Sequence, residues 1–161
     1  MFIQQADLFR EVDQETMNEI SAIMVEQSYD RGAILFAEGD PADYFFILKE
    51  GRVRLAVGKE AEIDYPVSSP GEAFGWSSLV GRDLYTAQAE CQTACKLIKI
   101  EGESLQKIFN KHPESGMIFF KRLAGAIGQR LIHTYNAFLL RQSPQHDVSY
   151  GTRQVMEIAV D

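Results

Sequence analysis

Gly71-Glu72-Ala73-Phe74-Gly75-Trp76-Ser77-Ser78-Leu79, with Tyr85-Thr86-Ala87 shortly after it, is the most informative part of this 161-residue chain. The stretch reads as a strand that turns sharply at glycine, opens a short helix and is followed by a returning strand. A turn of this kind aims backbone N–H groups at one point. It can therefore hold a phosphate or similar anion without any charged side chain.

The flanks supply the strands such a turn needs. Upstream, Tyr44-Phe45-Phe46-Ile47-Leu48 is followed by a turn at Lys49-Glu50-Gly51 and by Arg52-Val53-Arg54-Leu55-Ala56-Val57. In that last run Val53, Leu55 and Val57 alternate with Arg52, Arg54 and Ala56, the pattern of a half-buried strand. A further strand is predicted over residues 63–67, before Ser68-Ser69-Pro70-Gly71, and others over 85–91 and 95–100. Ile34-Leu35-Phe36 and the tight connection Glu38-Gly39-Asp40-Pro41-Ala42-Asp43 precede them. Many short strands, each punctuated by a turn, predict a barrel or sandwich.

Helices frame the strands. Residues 7–25 are predicted helical, with Asp13 as N-cap and Ile20, Ile23 and Met24 at helical spacing. A short helix is expected around 103–109, stopping near Pro113, and a long one from Glu114 to about Arg141. Along the long helix Met117, Phe120, Ala124, Ile127, Leu131, Thr134 and Phe138 recur at spacings of three and four. All but Thr134 suit a coiled-coil-like seam. Phe119, Leu123, Ile132, Leu139 and Leu140 add more apolar surface than one barrel contact needs, which predicts a homodimer through this helix.

Composition bounds the rest. The chain is 45% hydrophobic and 24% charged, an ordinary globular balance, with a net charge of -7. An acidic chain without a dense Lys/Arg run is a poor candidate for direct nucleic-acid binding. No apolar run reaches the roughly 20 residues needed to span a bilayer, and Met1-Phe2-Ile3-Gln4-Gln5 lacks the features of a secretion signal. A cytoplasmic location is expected. The two cysteines, Cys91 and Cys95, are too few for a four-ligand zinc site and are not spaced as a redox motif, so they read as reduced thiols.

The order helix, about eight strands, short helix, long helix resembles the cyclic-nucleotide-binding domain of catabolite-activator-type regulators and of protein kinase A regulatory subunits. Glu38 to Asp43, Tyr44 to Leu48, Gly51-Arg52-Val53, Leu8-Phe9 and Ile98-Lys99-Ile100 carry the resemblance alongside the 71–87 stretch, over roughly residues 6–140. It implies a mainly β fold with flanking helices: a double-stranded β-helix (jelly-roll) barrel with an N-terminal helix and a long C-terminal helix. The domain would occupy 1-142 and a tail 143-161. With about twenty residues after the long helix, no DNA-binding domain is expected.

The resemblance also implies a ligand site at Phe74, Gly75, Trp76, Ser77, Ser78, Tyr85 and Thr86. Phe74-Gly75 matches the family's phosphate-binding cassette, but Trp76 stands where the family has a glutamate for the ribose hydroxyl. Tyr85 stands where it has an arginine for the cyclic phosphate. A hydrogen bond to a charged group is worth about 1.5–3 kcal/mol, so this loss weakens phosphate binding by at least about tenfold. Trp76 either stacks on a base or fills the vacated space, and Tyr85 either donates to a phosphate or packs. Ser77 and Ser78 cap the short helix, touch a ligand, or both. Arg82 is the nearest substitute cation or an exposed loop residue, and Glu72 reads as structural.

Three functions remain open from the sequence. One is a regulatory sensor that binds a cyclic nucleotide or other small anion at residues 74–78 and signals through the C-terminal helices to a partner protein. Another is an interaction module that keeps the fold, has lost the nucleotide and dimerises. A cupin-like enzyme is disfavoured. His112, His133 and His146, the three histidines, fall in predicted helix or tail rather than on strands where a metal would sit. No catalytic residues, metal ligands or other cofactor are expected.

Overall fold

A computed structural model describes residues 6–58 and 63–146, and side chains up to Arg141 apart from that of Ile63. After a 3₁₀ turn at Asp7–Phe9 come helix α1 (Gln14–Ile23) and strands β1 (Met24–Tyr29), β2 (Ile34–Phe36), β3 (Tyr44–Glu50), β4 (Val53–Val57), β5 (Ile63–Val67) and β6 (Ala73–Phe74). A 3₁₀ turn at Trp76–Leu79 leads to β7 (Gln88–Cys91) and β8 (Cys95–Glu101), then to α2 (Gly102–Lys111) and α3 (Pro113–His146). The strands form two antiparallel four-stranded sheets, ordered β1-β8-β3-β6 and β2-β7-β4-β5. This is the expected jelly roll between helices. The chain divides into two compact units between Leu123 and Ala124, within α3.

The uninterrupted apolar run in β3 follows from burial on both faces. Phe46 and Leu48 point into the roll, where they join Phe36, Val53, Val67, Phe74, Ala89, Cys91 and Leu97 in one buried cluster. Phe45 and Ile47 alternate with them on the opposite face and are fully buried too. There Phe45 meets Phe119 of α3 edge-on at 6.1 Å, and Phe119 also contacts Phe9 at 5.2 Å and Phe109 at 4.8 Å. β4 has only one covered face. Val53 is buried and Leu55 packs on the cluster, whereas Val57, expected inside, is 42% exposed.

Several expected boundaries shift, each for a physical reason. Residues 7–25 are not one helix. Asp13 does cap α1, accepting from Thr16 N at 2.9 Å and Thr16 Oγ1 at 2.6 Å, but the helix ends at Ile23. Met24 and Val25 belong to β1, an edge strand held to β8 by backbone pairing from Met24↔Ile100 to Tyr29↔Cys95. Its residues are largely exposed, so no hydrophobic alternation announces it. β7 begins at Gln88 rather than Tyr85, because Tyr85 bonds main chain to main chain with the 38–43 connection instead of a strand. α3 continues past Arg141 to His146, and the expected tail beyond it, 147–161, lies outside the described residues.

Polar contacts fasten α1 to the helices that follow the roll. Ser115 of α3 and Thr16 donate to the Asp13 carboxylate and hold it well below the usual carboxylate range. Glu19 accepts from Lys111 Nζ at 2.7 Å and lies 2.8 Å from His112 Nε2. α3 covers the core with Ser115, Phe119 and Leu123, while Met117 of the predicted seam is 72% exposed.

The core contains two groups that titrate late. Both cysteines are buried free thiols, and burial pushes Cys91 up to about 12. Burial likewise pushes the Tyr85 phenol up to about 12. In the unfolded chain these groups ionise near 8.5 and 10. Above pH ~8.5 the unfolded state therefore releases a proton that the fold retains, and stability falls as pH rises. Each group contributes a slope of about 1.4 kcal/mol per pH unit until its folded value is reached. Cys91→Ala is expected to make this fall shallower, read from urea midpoints across the alkaline range.

Candidate functional site

The cassette begins where β6 ends. Phe74 is fully buried, pairs with Phe46 across the sheet and stacks on its ring at 5.2 Å. Gly75 then turns the chain in the left-handed region, at φ 76° and ψ 25°. A Cβ there would lie 3.0 Å from Tyr44 O and 3.1 Å from the Phe46 ring, so both conformation and space call for glycine. Trp76–Leu79 follows as one 3₁₀ turn. Ser78 Oγ donates back to Gly75 O at 3.1 Å, and Ser77 O accepts from Val80 N and Arg82 N, closing the turn.

The sequence-predicted residues do not share one exposure. Ser77 is buried, Trp76 and Ser78 are half-buried, and Thr86 is exposed. Tyr85 is turned into the core at 5% exposure, with its ring on Phe36 at 3.7 Å and 12° between planes. Its hydroxyl donates to Tyr44 O at 2.6 Å and accepts from Tyr44 N at 3.0 Å. Its main chain is equally committed, with N donating to Asp40 O and O accepting from Gly39 N, both at 2.9 Å. The Glu38–Asp43 connection thus clamps the exit of the cassette.

Two further contacts complete the neighbourhood. Glu72 accepts from Tyr65 Oη at 2.9 Å and from the amides of Ser68 and Ser69, which ties down the turn leading into β6. Arg82 is exposed, and its amide serves Ser77 O.

The cassette rests on the first turn of α2. A Cβ at Gly102 would come within 2.7 Å of Ser78 O, so only glycine lets helix and cassette approach this closely. Gln106 Nε2 donates to Leu79 O at 2.8 Å, and Gly102 N donates to Asp43 O at 2.9 Å. Displacing Ser78 or Leu79 must therefore displace α2. Sequence reasoning missed Phe36, Tyr44, Gly102 and Gln106. The first two act through ring stacking and main-chain atoms, which leave no residue pattern. Gly102, just ahead of a predicted helix, was a usable sign of close approach.

Comparison with known proteins agrees with this geometry. Residues 26–112 match the family model described as the cyclic nucleotide-binding domain. A Drosophila melanogaster cGMP-dependent protein kinase, isozyme 2 forms cD5/T2, is 30% identical over 96 residues, covering 58% of this chain and 10% of that protein. The chain thus spans about a tenth of the kinase it matches. Among solved structures, the N-terminal domain of a transcriptional regulator from Streptomyces coelicolor A3(2) aligns at TM-score 0.62 and 29% identity, covering 85% of this chain and 96% of that one. A cyclic nucleotide-binding domain from Methylobacillus flagellatus aligns at TM-score 0.73 and 19% identity, covering 88% and 80%, and supports the fold alone. With its two-sheet roll, its glycine-turned cassette and the helix seated on it, the chain belongs to the cyclic nucleotide-binding domain family.

Proposed function

We propose that this chain is a non-enzymatic, cytoplasmic regulatory module that acts on a partner protein through its C-terminal helices and does not depend on tight binding of a cyclic mononucleotide. The observation that carries this reading is the double hydrogen bond between the Tyr85 hydroxyl and the Tyr44 main chain. The residue standing in the family's arginine position spends its only polar group on the protein itself. The contacts of Gly102 and Gln106 with the cassette support signalling, because they join the cassette directly to α2.

A second reading retains a ligand. The left-handed Gly75 turns the chain beside Trp76 and Ser78, and all three residues are partly accessible. A small anion with an aromatic face suits that turn without an arginine. Isothermal calorimetry with cyclic GMP and cyclic AMP separates the two. No saturable heat is expected below about millimolar ligand. Micromolar binding of either would overturn the first reading in favour of the second.

The homodimer is part of the proposal. In the second unit Leu131, Ile132, Tyr135, Phe138, Leu139 and Leu140 are between 48% and 72% exposed, an apolar surface suited to a second copy. Leu131→Glu places a charge on it and is expected to convert a dimer to a monomer in sedimentation velocity. A variant that still sediments as a dimer would place the interface elsewhere.

A further inference from the structure

Three connections meet at one end of the roll: β1–β2, β3–β4 and β7–β8. The strand registers fix this, since Tyr29 pairs with Cys95, Glu50 with Lys96, Ile34 with Glu90 and Val53 with Cys91. The cassette lies at the opposite end. It leaves β6 at Phe74, which pairs with Phe46 near the start of β3, and it abuts Gly102 just after β8.

At the first end the three connections enclose a groove of about 440 Å³ whose lining includes Arg31, Arg52, Arg54, Glu90, Gln92 and Thr93. That volume falls within the range of small-molecule sites, and its lining is polar and cationic. Its walls are held by main-chain bonds. Gly32 N donates to Cys91 O at 2.7 Å, Cys91 N to Ala33 O at 2.9 Å, Gln92 N to Arg52 O at 2.9 Å and Arg52 N to Thr93 Oγ1 at 3.0 Å. The backbones carrying Arg31 and Arg52 are thereby fixed against the same end of β7.

The charges in the groove are unevenly satisfied. Arg54 Nε donates to Asp64 at 2.9 Å, so its charge is met, and Glu90, whose field also reaches Arg54, sets one negative charge against the two arginines that remain. Among the described residues, Arg31 and Arg52 have no carboxylate within ion-pair distance. Lys49, Lys96, Lys107, Lys111 and Arg122 each have one. Two guanidinium groups without an ion-pair partner among the described residues thus line one groove of a chain whose net charge is -7. A guanidinium matches a carboxylate or phosphate through two parallel N–H donors, and two of them on separate loops match two such groups.

We propose that this groove is a second ligand site, which takes a small dianion with two neighbouring oxyanion groups, phosphoryl or carboxyl, one held by Arg31 and the other by Arg52. The site is independent of the cassette.

The test is an NMR titration of the full chain, following the Nε–H signals of the arginines and the amides of Gln92 and Thr93. The probes are inorganic pyrophosphate, succinate, and sodium chloride at matched ionic strength. Saturable shifts at Arg31 and Arg52 with pyrophosphate or succinate, absent with chloride, are expected, and the tighter of the two identifies the acid class. Arg31→Ala and Arg52→Ala are each expected to weaken that binding at least about tenfold. Arg82→Ala, beside the cassette, should leave it unchanged. Shifts that rise linearly with all three salts overturn the proposal, as does saturable binding that survives the Arg31→Ala/Arg52→Ala double substitution. Both arginines are exposed on loops, and an unchanged thermal midpoint in the variants shows that the fold persists.

Discussion

The double substitution Trp76→Glu and Tyr85→Arg is expected to raise affinity for cyclic GMP or cyclic AMP by about 10²–10⁴-fold. Two contacts involving charged groups, at about 1.5–3 kcal/mol each, give that range. The new guanidinium would enter where Tyr85 now stacks on Phe36 at 3.7 Å, and a guanidinium also stacks on an aromatic face. The exchange has a structural cost. The N–H and C=O of Tyr44 lose the hydroxyl that serves them both, which costs about 1–3 kcal/mol of stability. Tyr85→Phe isolates that cost, because it keeps the ring and removes only the hydroxyl. Calorimetry on the double variant, beside urea denaturation of both variants, reads the two quantities separately. A double variant that folds and gains no affinity would mean that a glutamate and an arginine at these two positions do not suffice for binding.

Phe119→Ala should destabilise the protein by about 3–5 kcal/mol, the range for deleting a large aromatic from a core. Phe119 is fully buried and touches the rings of Phe9, Phe45, Phe109 and Phe120. It is the point at which the N-terminal turn, the outer face of β3, α2 and α3 meet, so no single neighbour can move to close the cavity. With a typical domain stability of about 5–15 kcal/mol, the variant would be marginal at room temperature. Leu123→Ala, one turn further along α3 and also buried, should cost about 2–5 kcal/mol by the same mechanism. If Phe119→Ala shifted the urea midpoint no more than an exposed substitution such as Met117→Ala, α3 would not be packed on the roll as described.

The architecture was legible in the sequence because the roll's turns carry glycine and proline and because β4 alternates. The long helix was legible from its spacing, but the residues it buries were not those of the predicted seam. Ser115, Phe119 and Leu123 face the core, and seam residues such as Met117 and Leu131 are left exposed. Both sets recur at helical spacing, and nothing in one sequence says which face meets its own domain. β1 was unreadable for another reason. An exposed edge strand is held by backbone bonds, which any residue can make. In the cassette the positions of Gly75, Ser78 and Glu72 followed from residue type. The fate of Tyr85 did not, since its partners are a ring 49 residues earlier and the main chain of Tyr44. The groove bearing Arg31 and Arg52 is assembled from three connections remote in sequence, so it appears only once the strands are paired.

The two-faced burial of β3 raises a question of alignment. If β3 slid by one position along β8, Phe45 would trade places with Phe46 and Ile47 with Leu48, exchanges that hardly alter side-chain size or polarity. Hydrophobicity alone therefore discriminates weakly between the native alignment and its neighbour. A contact specific to one main-chain position has to do so, and the Tyr85 hydroxyl, which grips both polar atoms of Tyr44 at the head of the strand, supplies one. Tyr85 would then serve as the dowel that keeps the central strand from slipping.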